Sequence, residues 1–204
     1  MDPVTATALI NKYSLPQDRG HLLCQEALRF KEFQGQSILD YIASSRSKQF
    51  IWVDGFCGVG KSLIKGAIAL NRRVGSRSSL KTVGIDSRSE LSPEFRDFPE
   101  EGQYEFFCSD LQVVGLDEQL GADKANLVTL VHGLQHVASP GAVLRNVLIS
   151  LVPKGIVSFC YDQSLETDHK VNGFLASLGR SYTADSISYE TPENKVVAGY
   201  IKKQ

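Results

Sequence analysis

From residue 50 to residue 161, short apolar segments alternate with stretches whose apolar residues recur at helical spacing. The apolar segments are rich in β-branched and aromatic residues, which favour strands. Five strands are predicted, at residues 50–54, 82–86, 104–108, 127–131 and 156–161. Helices are predicted at residues 61–73 and 140–151, and Pro153, Lys154 and Gly155 are expected to end the second one. This alternation is typical of an α/β protein with a parallel sheet.

The two ends of the chain extend this pattern in different ways. Residues 166–178 predict a helix, and residues 181–189 and 196–202 predict two strands that pair antiparallel around a turn. Apolar residues between positions 4 and 44 recur at helical spacing and predict two or three helices.

Length and composition indicate one packed globular unit. We predict a single domain over residues 1–204, in which an N-terminal helical cap (1–48) precedes an α/β core (49–204). Apolar residues make up 42% and charged residues 22% of the chain, as in ordinary globular proteins. The net charge of -1 at pH 7 excludes the global positive field that drives nonspecific binding to nucleic acid.

The cysteines and the apolar runs bear on the cellular compartment. Cys24, Cys57, Cys108 and Cys160 are far apart and lack the paired spacing of zinc ligands or of a disulfide framework, so no metal site is predicted. No apolar run approaches the ~20 residues of a membrane span. The first residues lack the layout of a signal peptide. We therefore expect a cytoplasmic protein with reduced thiols and no membrane partner.

The predicted first strand runs into a glycine-rich turn with the sequence DGFCGVGKS. Gly55, Gly60, Lys61 and Ser62 satisfy GxxxxGKS, the P-loop pattern. In that pattern backbone N–H groups cradle phosphates, the lysine reaches the β- and γ-phosphates and the serine binds magnesium. A kinase or ATPase that uses GFCGVGKS is therefore one interpretation. It also requires an acid after a buried strand, which Asp86 supplies, and in small kinases an arginine-bearing lid, which is not evident.

The same turn has a second interpretation. Asp54 ends the strand, and Gly58 and Gly60 let a ligand approach the backbone closely. This arrangement resembles motif I of class I S-adenosylmethionine (SAM) dependent methyltransferases, in which the strand-end acid and the small turn position the amino-acid part of SAM. A cysteine before the second glycine, here Cys57, is common in that family. The lysine and serine that follow then belong to the first turn of a helix.

The next two strand ends extend this resemblance. The strand TVGID ends in Asp86, followed by Ser87, and a carboxylate at this place accepts hydrogen bonds from ribose hydroxyls. The following strand ends in FFCSDL, so Asp110 and Leu111 resemble the adenine contacts of the family. There the carboxylate faces the exocyclic amine and the leucine packs on the ring.

The most distinctive part of the resemblance is ANLVTLVHGLQHVASPGAVLRNVLISLVPKGIVSF. It is similar to the fourth strand of the family, its HxLxH-like loop, the following helix and the LxPGG turn into the fifth strand. Lys154 replaces the first glycine of that turn, and Asn126 replaces the usual acid at the start of the strand. From Phe50 onwards the resemblance implies a Rossmann-like, doubly wound, mostly parallel seven-stranded sheet with a C-terminal antiparallel hairpin.

The resemblance also implies SAM as the cofactor and no metal. The implied cofactor-binding residues lie at the ends of the first four strands: Asp54, Gly55, Cys57, Gly58, Gly60, Asp86, Ser87, Asp110, Leu111, Val131 and His132.

Methyl transfer requires alignment of the acceptor and, for a weakly acidic acceptor, removal of its proton. His132 follows the fourth strand beside the expected position of the methyl group and is a candidate base or acceptor-orienting group, because histidine exchanges protons near neutral pH. His136 is a second candidate and would share a helical face with it. Tyr161 and Asp162 are candidates to line the acceptor pocket. Cys57 is interpreted as a small turn residue, since no base is placed to activate its thiol.

Two motifs that the chain lacks narrow the class of methyl acceptor. Methyltransferases of base amino groups carry DPPY or NPPY after the fourth strand, where this chain has VHGL, and ribose 2′-O enzymes require an acid where Val131 and His132 stand. A small-molecule acceptor is therefore predicted, while protein and RNA acceptors remain open alternatives. The N-terminal helices are placed where the family often builds a lid over the acceptor pocket. A methyltransferase-like protein that binds SAM or a protein partner without catalysis is a further alternative.

Overall fold

The computed structural model describes residues 44, 47–58, 60, 63, 79–88, 104–122, 124–190 and 195–204. The described strands are β1 (Gln49–Gly55), β2 (Ser79–Asp86), β3 (Tyr104–Cys108), β4 (Ala125–Val131), β5 (Leu151–Asp162), β6 (Tyr182–Glu190) and β7 (Lys195–Lys203). The described helices are α1 (Leu116–Leu120), α2 (Pro140–Leu148) and α3 (Leu165–Ser177), and a short 3-10 helix spans Leu134–His136.

All seven strands belong to one sheet with the order β3-β2-β1-β4-β5-β7-β6. Strands β1 to β5 pair in parallel, and β7 pairs antiparallel with both β5 and β6. The chain moves outward from β1 to β3 and then returns to place β4 on the other side of β1. This reversal creates a crevice outside the carboxyl ends of β1 and β4, the place where doubly wound sheets bind ligands. The predicted Rossmann-like sheet with its antiparallel hairpin is confirmed.

One face of the sheet is apolar and packs against α2 and α3. The buried residues on this side include Val53, Val83, Ile85, Val128, Leu130, Val157 and Phe159 of the strands, with Val143, Leu144, Val147 and Val171 of the helices. Successive strand residues point to opposite faces, so Asp54, Thr82, Thr129 and Ser158 lie on the other face, and they are buried too. Buried polar residues are unusual in parallel strands, which are ordinarily apolar on both faces.

The helix predicted over residues 140–151 ends early, and the prediction that Pro153, Lys154 and Gly155 end it is wrong. α2 ends at Leu148, and Leu151 already pairs with Ala125 of β4. The register between β4 and β5 then shifts, so the Pro-Lys-Gly segment lies within β5 as an irregularity of the strand. Leu151 fitted the helical apolar pattern, but strand pairing is what buries it.

Three predictions fall wholly or largely outside the described residues: the N-terminal helices, the helix at 61–73 and the turn between β6 and β7. Of the second, Leu63 is described, and it is helical and buried. Within the described part of the chain, no helix has the length and apolar character needed to cross a membrane.

Candidate cofactor and active site

The glycine-rich turn after β1 is fastened to the end of β2. The backbone N–H of Cys57 donates to the Ile85 carbonyl over 3.2 Å. The backbone N–H of Gly58 donates to Oδ2 of Asp86 over 2.8 Å. The Gly60 N–H then donates to the Cys57 carbonyl over 3.0 Å, which closes the turn. These bonds hold the turn at the crevice formed by the carboxyl ends of the strands.

The glycines of this turn meet two different steric requirements. Gly58 and Gly60 have φ angles of 58° and 88°, a region that glycine adopts without steric cost. A Cβ on Gly58 would meet no described atom within 4 Å, so no described side chain crowds the backbone at this position. A Cβ on Gly55 would stand 2.6 Å from Leu130 Cδ2 and 2.8 Å from Leu111 Cδ1. Core packing therefore favours glycine at position 55, whereas no described residue crowds position 58.

Asp86 presents the carboxylate that joins β2 to this turn. It is buried, and both of its oxygens accept backbone N–H groups: Oδ2 from Gly58, and Oδ1 from Arg88 over 2.9 Å. An ionised carboxylate offers roughly four lone-pair positions, so about two remain after these bonds. Asp86 therefore retains the capacity to accept hydrogen bonds from two hydroxyl groups. Ser87, the next residue, is exposed.

Asp54 is held from the neighbouring strand β4. Its side chain is 2% exposed, and its Oδ1 accepts the hydroxyl proton of Thr129 over 2.7 Å. The pairing of β1 with β4 places these two residues opposite each other. The end of β1 thus carries a buried carboxylate that accepts a hydrogen bond from a side chain of another strand.

The end of β3 joins the same cluster, because the Ser109 N–H donates to the Asp86 carbonyl over 2.9 Å. Asp110 follows, and its Oδ1 accepts the Gln112 N–H over 2.9 Å within a tight turn. The Asp110 side chain is partly exposed at the crevice. Leu111 is only 3% exposed and packs into the core beside Gly55. Its assignment as an adenine contact stays a prediction.

Cys57 lies within the turn as a buried thiol. Burial raises the pKa of the Cys57 thiol strongly, and the negative charges of Asp54 and Asp86 raise it further. The thiolate is the nucleophilic form of cysteine. Cys57 therefore stays a neutral thiol at physiological pH, in agreement with its interpretation as a turn residue.

His132 lies directly after β4, where its backbone N–H donates to the Cys160 carbonyl of β5 over 2.9 Å. Its φ angle is 58°, which is uncommon for a residue other than glycine and recurs at functional sites. Nδ1 of His132 lies 3.7 Å from Oδ2 of Asp162, at the end of β5, and 2.5 Å from Nε2 of Gln135. The structure thus brings together His132 and Asp162, which the sequence named separately. Val131, just before the histidine, is buried.

The remaining candidates lie apart from this pair. His136 is exposed at the end of the 3-10 helix. Because His132 precedes that helix and has a left-handed backbone, the two histidines do not share a helical face, and that expectation was wrong. Tyr161 is buried in the core beside Phe159, with ring centroids 6.2 Å apart, and therefore does not line the crevice. No three His, Cys, Asp or Glu side chains within the described ranges are arranged to hold a metal ion.

Three further side chains of the site were not singled out from the sequence. Thr129 bonds Asp54, Gln135 contacts His132, and the ring of Phe56 occupies the space in which a Cβ of Gly133 would stand. The glycine in VHGL, Gly133, is a sequence signal for the close contact with Phe56. Thr129 carries no comparable signal, because it lies 75 residues from its partner and looks like an ordinary strand residue.

Comparison with known proteins finds likeness in structure only. No family model and no curated protein matches the chain. An rRNA methylase from Streptococcus thermophilus aligns with 81% of this chain and 93% of its own, at 18% identity and a TM-score of 0.58. The plantazolicin methyltransferase BpumL, solved with a desmethylPZN analog and SAH, aligns with 100% of this chain and 92% of its own, at 12% identity and a TM-score of 0.63.

A third structure, the (4+2)-cyclase SpnF, aligns with 81% of this chain and 79% of its own, at 12% identity and a TM-score of 0.55. Together with the strand order, these likenesses show that the chain has the fold of class I SAM-dependent methyltransferases. The resemblance implied by the sequence motifs is thereby confirmed for the fold. Identities this low do not transfer an activity, since one fold serves many chemistries.

Proposed function

We propose that this protein is a SAM-dependent methyltransferase that acts on a small-molecule acceptor. The observation that carries the proposal is the turn at Gly58, whose N–H donates to the Asp86 carboxylate while no described residue crowds its α-carbon. Asp54 and Asp110 stand at the ends of the strands on either side of β2. Three acids around a glycine turn, at the switch point of this fold, support a site for a positively charged nucleoside.

Each residue has a role that its position supports. Asp54 and the glycine turn would hold the amino-acid part of SAM, Asp86 the ribose hydroxyls and Asp110 the adenine amine. SAM, when bound, supplies a methyl group on a positively charged sulfur. The raised pKa of the Cys57 thiol keeps this buried side chain neutral, so it does not compete with the acceptor for the methyl group.

We assign removal of the acceptor proton to His132. It lies at the end of β4, and its Nδ1 faces Asp162 across 3.7 Å. Gln135 holds the ring through Nδ1, and the carboxylate 3.7 Å away compensates the positive charge that the ring gains as a base. The exposed position of His136 and the core position of Tyr161 give neither residue a comparable arrangement.

The P-loop interpretation of GFCGVGKS meets an electrostatic obstacle. A P-loop directs its backbone N–H groups at phosphate. Here the Gly58 N–H donates to Asp86, and Asp54 adds a second carboxylate beside the turn. Phosphate groups would be repelled by these charges, whereas the sulfonium and ammonium groups of SAM would be attracted. Lys61 and Ser62 lie outside the described residues.

Calorimetry with SAH and with magnesium-ATP separates the two interpretations. We expect SAH to bind the wild-type protein and Lys61→Ala with similar affinity, because the lysine has no role in a SAM site. Asp86→Ala should weaken SAH binding at least about tenfold, since hydrogen bonds to a charged group are lost. Asp185→Ala, on the exposed edge strand β6, is the matched control and should bind as the wild type does.

The reverse pattern of SAH and ATP binding would support the P-loop interpretation. Magnesium-dependent ATP binding that Lys61→Ala abolishes would make the protein a P-loop nucleotide binder. A lack of SAH binding at millimolar concentration would exclude the methyltransferase proposal.

The acceptor class is tested with methyl-labelled SAM. The protein is incubated separately with the small-molecule, RNA and protein fractions of a cell extract, and label should enter the small-molecule fraction. Label confined to RNA or protein would contradict the proposed acceptor class. Tight SAH binding with no label in any fraction would support the non-catalytic alternative.

A further inference from the structure

A chain of buried hydrogen bonds joins β1 to β4 beneath the candidate cofactor site. The indole N–H of Trp52 donates to the hydroxyl oxygen of Thr129 over 2.9 Å. The same hydroxyl group donates to Oδ1 of Asp54 over 2.7 Å. Trp52 and Thr129 are 0% exposed and Asp54 is 2% exposed. We call these three residues the β1–β4 relay.

The chemistry of the three groups fixes the direction of the relay. An indole nitrogen only donates, so Trp52 must occupy a lone pair of the Thr129 oxygen. The single hydroxyl proton of Thr129 then selects among acceptors, and the Val53 carbonyl lies farther away, at 3.4 Å, than the Asp54 carboxylate. Bonds to an ionised acceptor are the shorter and stronger ones. The proton therefore points at Asp54, and the Trp52 bond polarises the hydroxyl in the same direction.

The relay offsets the cost of a buried charge. A carboxylate removed from water is unfavourable unless hydrogen bonds compensate it. Asp54 receives such a bond from a side chain that the strand pairing places opposite it. The relay therefore helps to orient the carboxylate at the end of β1.

Thr82 offers a comparison on the same face of the sheet. It is paired with Trp52 in the register of β1 and β2 and is 0% exposed. Its hydroxyl has no hydrogen-bond partner among the described residues. The two buried threonines on this face thus differ. Thr129 forms a hydrogen bond with Asp54, whereas the hydroxyl of Thr82 has no hydrogen-bond partner among the described residues.

We infer that Thr129 and Trp52 are positioning residues for Asp54 and set the affinity of the site for the charged end of the cofactor. The inference rests on the proposed function, because it takes Asp54 as a contact of SAM. Neither Thr129 nor Trp52 needs to touch the ligand. Their effect is exerted through the orientation of the Asp54 carboxylate.

The test measures SAH binding by calorimetry in four variants of the full chain. Thr129→Val removes the hydroxyl and keeps the shape of the side chain, and it should weaken SAH binding about tenfold. Thr129→Ser restores the hydroxyl and should bind within about threefold of the wild type. Trp52→Phe should weaken binding by a smaller factor. Thr82→Val, the matched control, should bind as the wild type does, because it breaks no described hydrogen bond.

Tryptophan fluorescence gives a second readout beside affinity, the response of the relay to bound SAH. Trp52 is the single tryptophan of the chain, so the emission reports on the relay alone. Saturating SAH should change the emission of the wild type and of Thr82→Val, and this change should be largely lost in Thr129→Val. If Thr129→Val does not fold, Trp52→Phe keeps the inference falsifiable, because SAH binding as tight as that of Thr82→Val would overturn it.

Each outcome supports or overturns the inference. If Thr129→Val binds SAH as tightly as Thr82→Val, or shows the same change in emission, the relay does not position Asp54. If Thr129→Ser binds no better than Thr129→Val, the hydroxyl is not the active group. If the wild type and Thr82→Val bind no SAH, the proposed function fails instead.

Discussion

At the scale of single residues, the carboxylates of the site differ in what holds them. Asp86 accepts two backbone N–H groups, and these donors are present whichever side chains stand at positions 58 and 88. Asp54 accepts a side-chain hydroxyl, so this hydrogen bond depends on the identity of residue 129. A substitution of residue 129 should therefore disturb Asp54 more than Asp86.

The cysteines provide a test of the local electrostatics. Cys57 is buried and the pKa of its thiol is raised by burial and by two carboxylates, whereas Cys108 is exposed at the end of β3. In a Cys24→Ser background we expect iodoacetamide to modify Cys108 and to leave Cys57 unmodified, even at pH 9. Peptide mass spectrometry of the native protein measures both sites.

Unfolding provides the control, since Cys57 should react in denaturant. Equal rates for Cys57 and Cys108 in the native protein would contradict the burial of the thiol. The sign of the linked stability follows from the same shift. The unfolded chain releases this proton near the ordinary pKa of 9.0 and the folded chain does not, so stability should fall as the pH rises above that value.

At the scale of elements, the start of β5 is the least regular part of the described sheet. Leu151 pairs with Ala125, the register then shifts, and Lys154 takes a φ angle of 67°. A left-handed conformation costs a residue with a Cβ roughly 1–2 kcal/mol. The family pattern places glycine at this position, so the lysine is a local strain that the surrounding strand pairing maintains.

Relief of this strain is a stability prediction. Lys154→Gly should raise the free energy of unfolding by about 0.5–1 kcal/mol, because glycine adopts the left-handed region freely while adding entropy to the unfolded chain. Urea unfolding followed by circular dichroism measures the change. Lys124→Gly, at an exposed lysine that has no positive φ, should lower stability. A loss of stability in both variants would show that Lys154 is not strained.

At the scale of the whole molecule, the two faces of the sheet and its carboxyl edge carry different kinds of side chains. One face is apolar and packs on α2 and α3, while the opposite face buries Asp54, Thr129 and other polar groups. The carboxyl edge gathers acids from β1, β2 and β3 on one side, and His132 and Asp162 from β4 and β5 on the other. A charged cofactor and its acceptor would thus meet at the switch point between β1 and β4.

This division predicts separate effects on binding and on turnover. With an acceptor found by the labelling experiment, His132→Gln should lower the rate of methyl transfer by about 10²–10⁴, the usual contribution of a general base. SAH affinity should fall by a much smaller factor than the rate, because the acids of the other strands are intact. Asp162→Asn should lower the rate by a smaller factor. Single-turnover kinetics and calorimetry measure the two quantities.

His136→Gln is the matched control, since this histidine is exposed and does not share the geometry of His132. It should leave the rate unchanged. An unchanged rate in His132→Gln, or a large loss in His136→Gln, would reverse the assignment of the base.

Much of the core was predictable because its signals are local. The strands of the sheet, the hairpin and the acids at successive strand ends follow from short apolar segments and the residues directly after them. The predicted bounds of β3 agree with the structure, and those of β1, β6 and β7 differ by one residue at each end. The end of α2 was missed because Leu151 satisfies both a helical and a strand pattern, and only its pairing with Ala125 decides between them.

The sequence by itself determined the order of the elements, the glycine turn and the positions of Asp54, Asp86, Asp110 and His132, because each depends on neighbours a few residues away. Only the tertiary structure decided which of these side chains is fixed and by what. The bond of Thr129 to Asp54 and the approach of Asp162 to His132 join residues of different strands. Such contacts arise from strand order and register, and a linear pattern does not encode the distance between two side chains that are far apart along the chain.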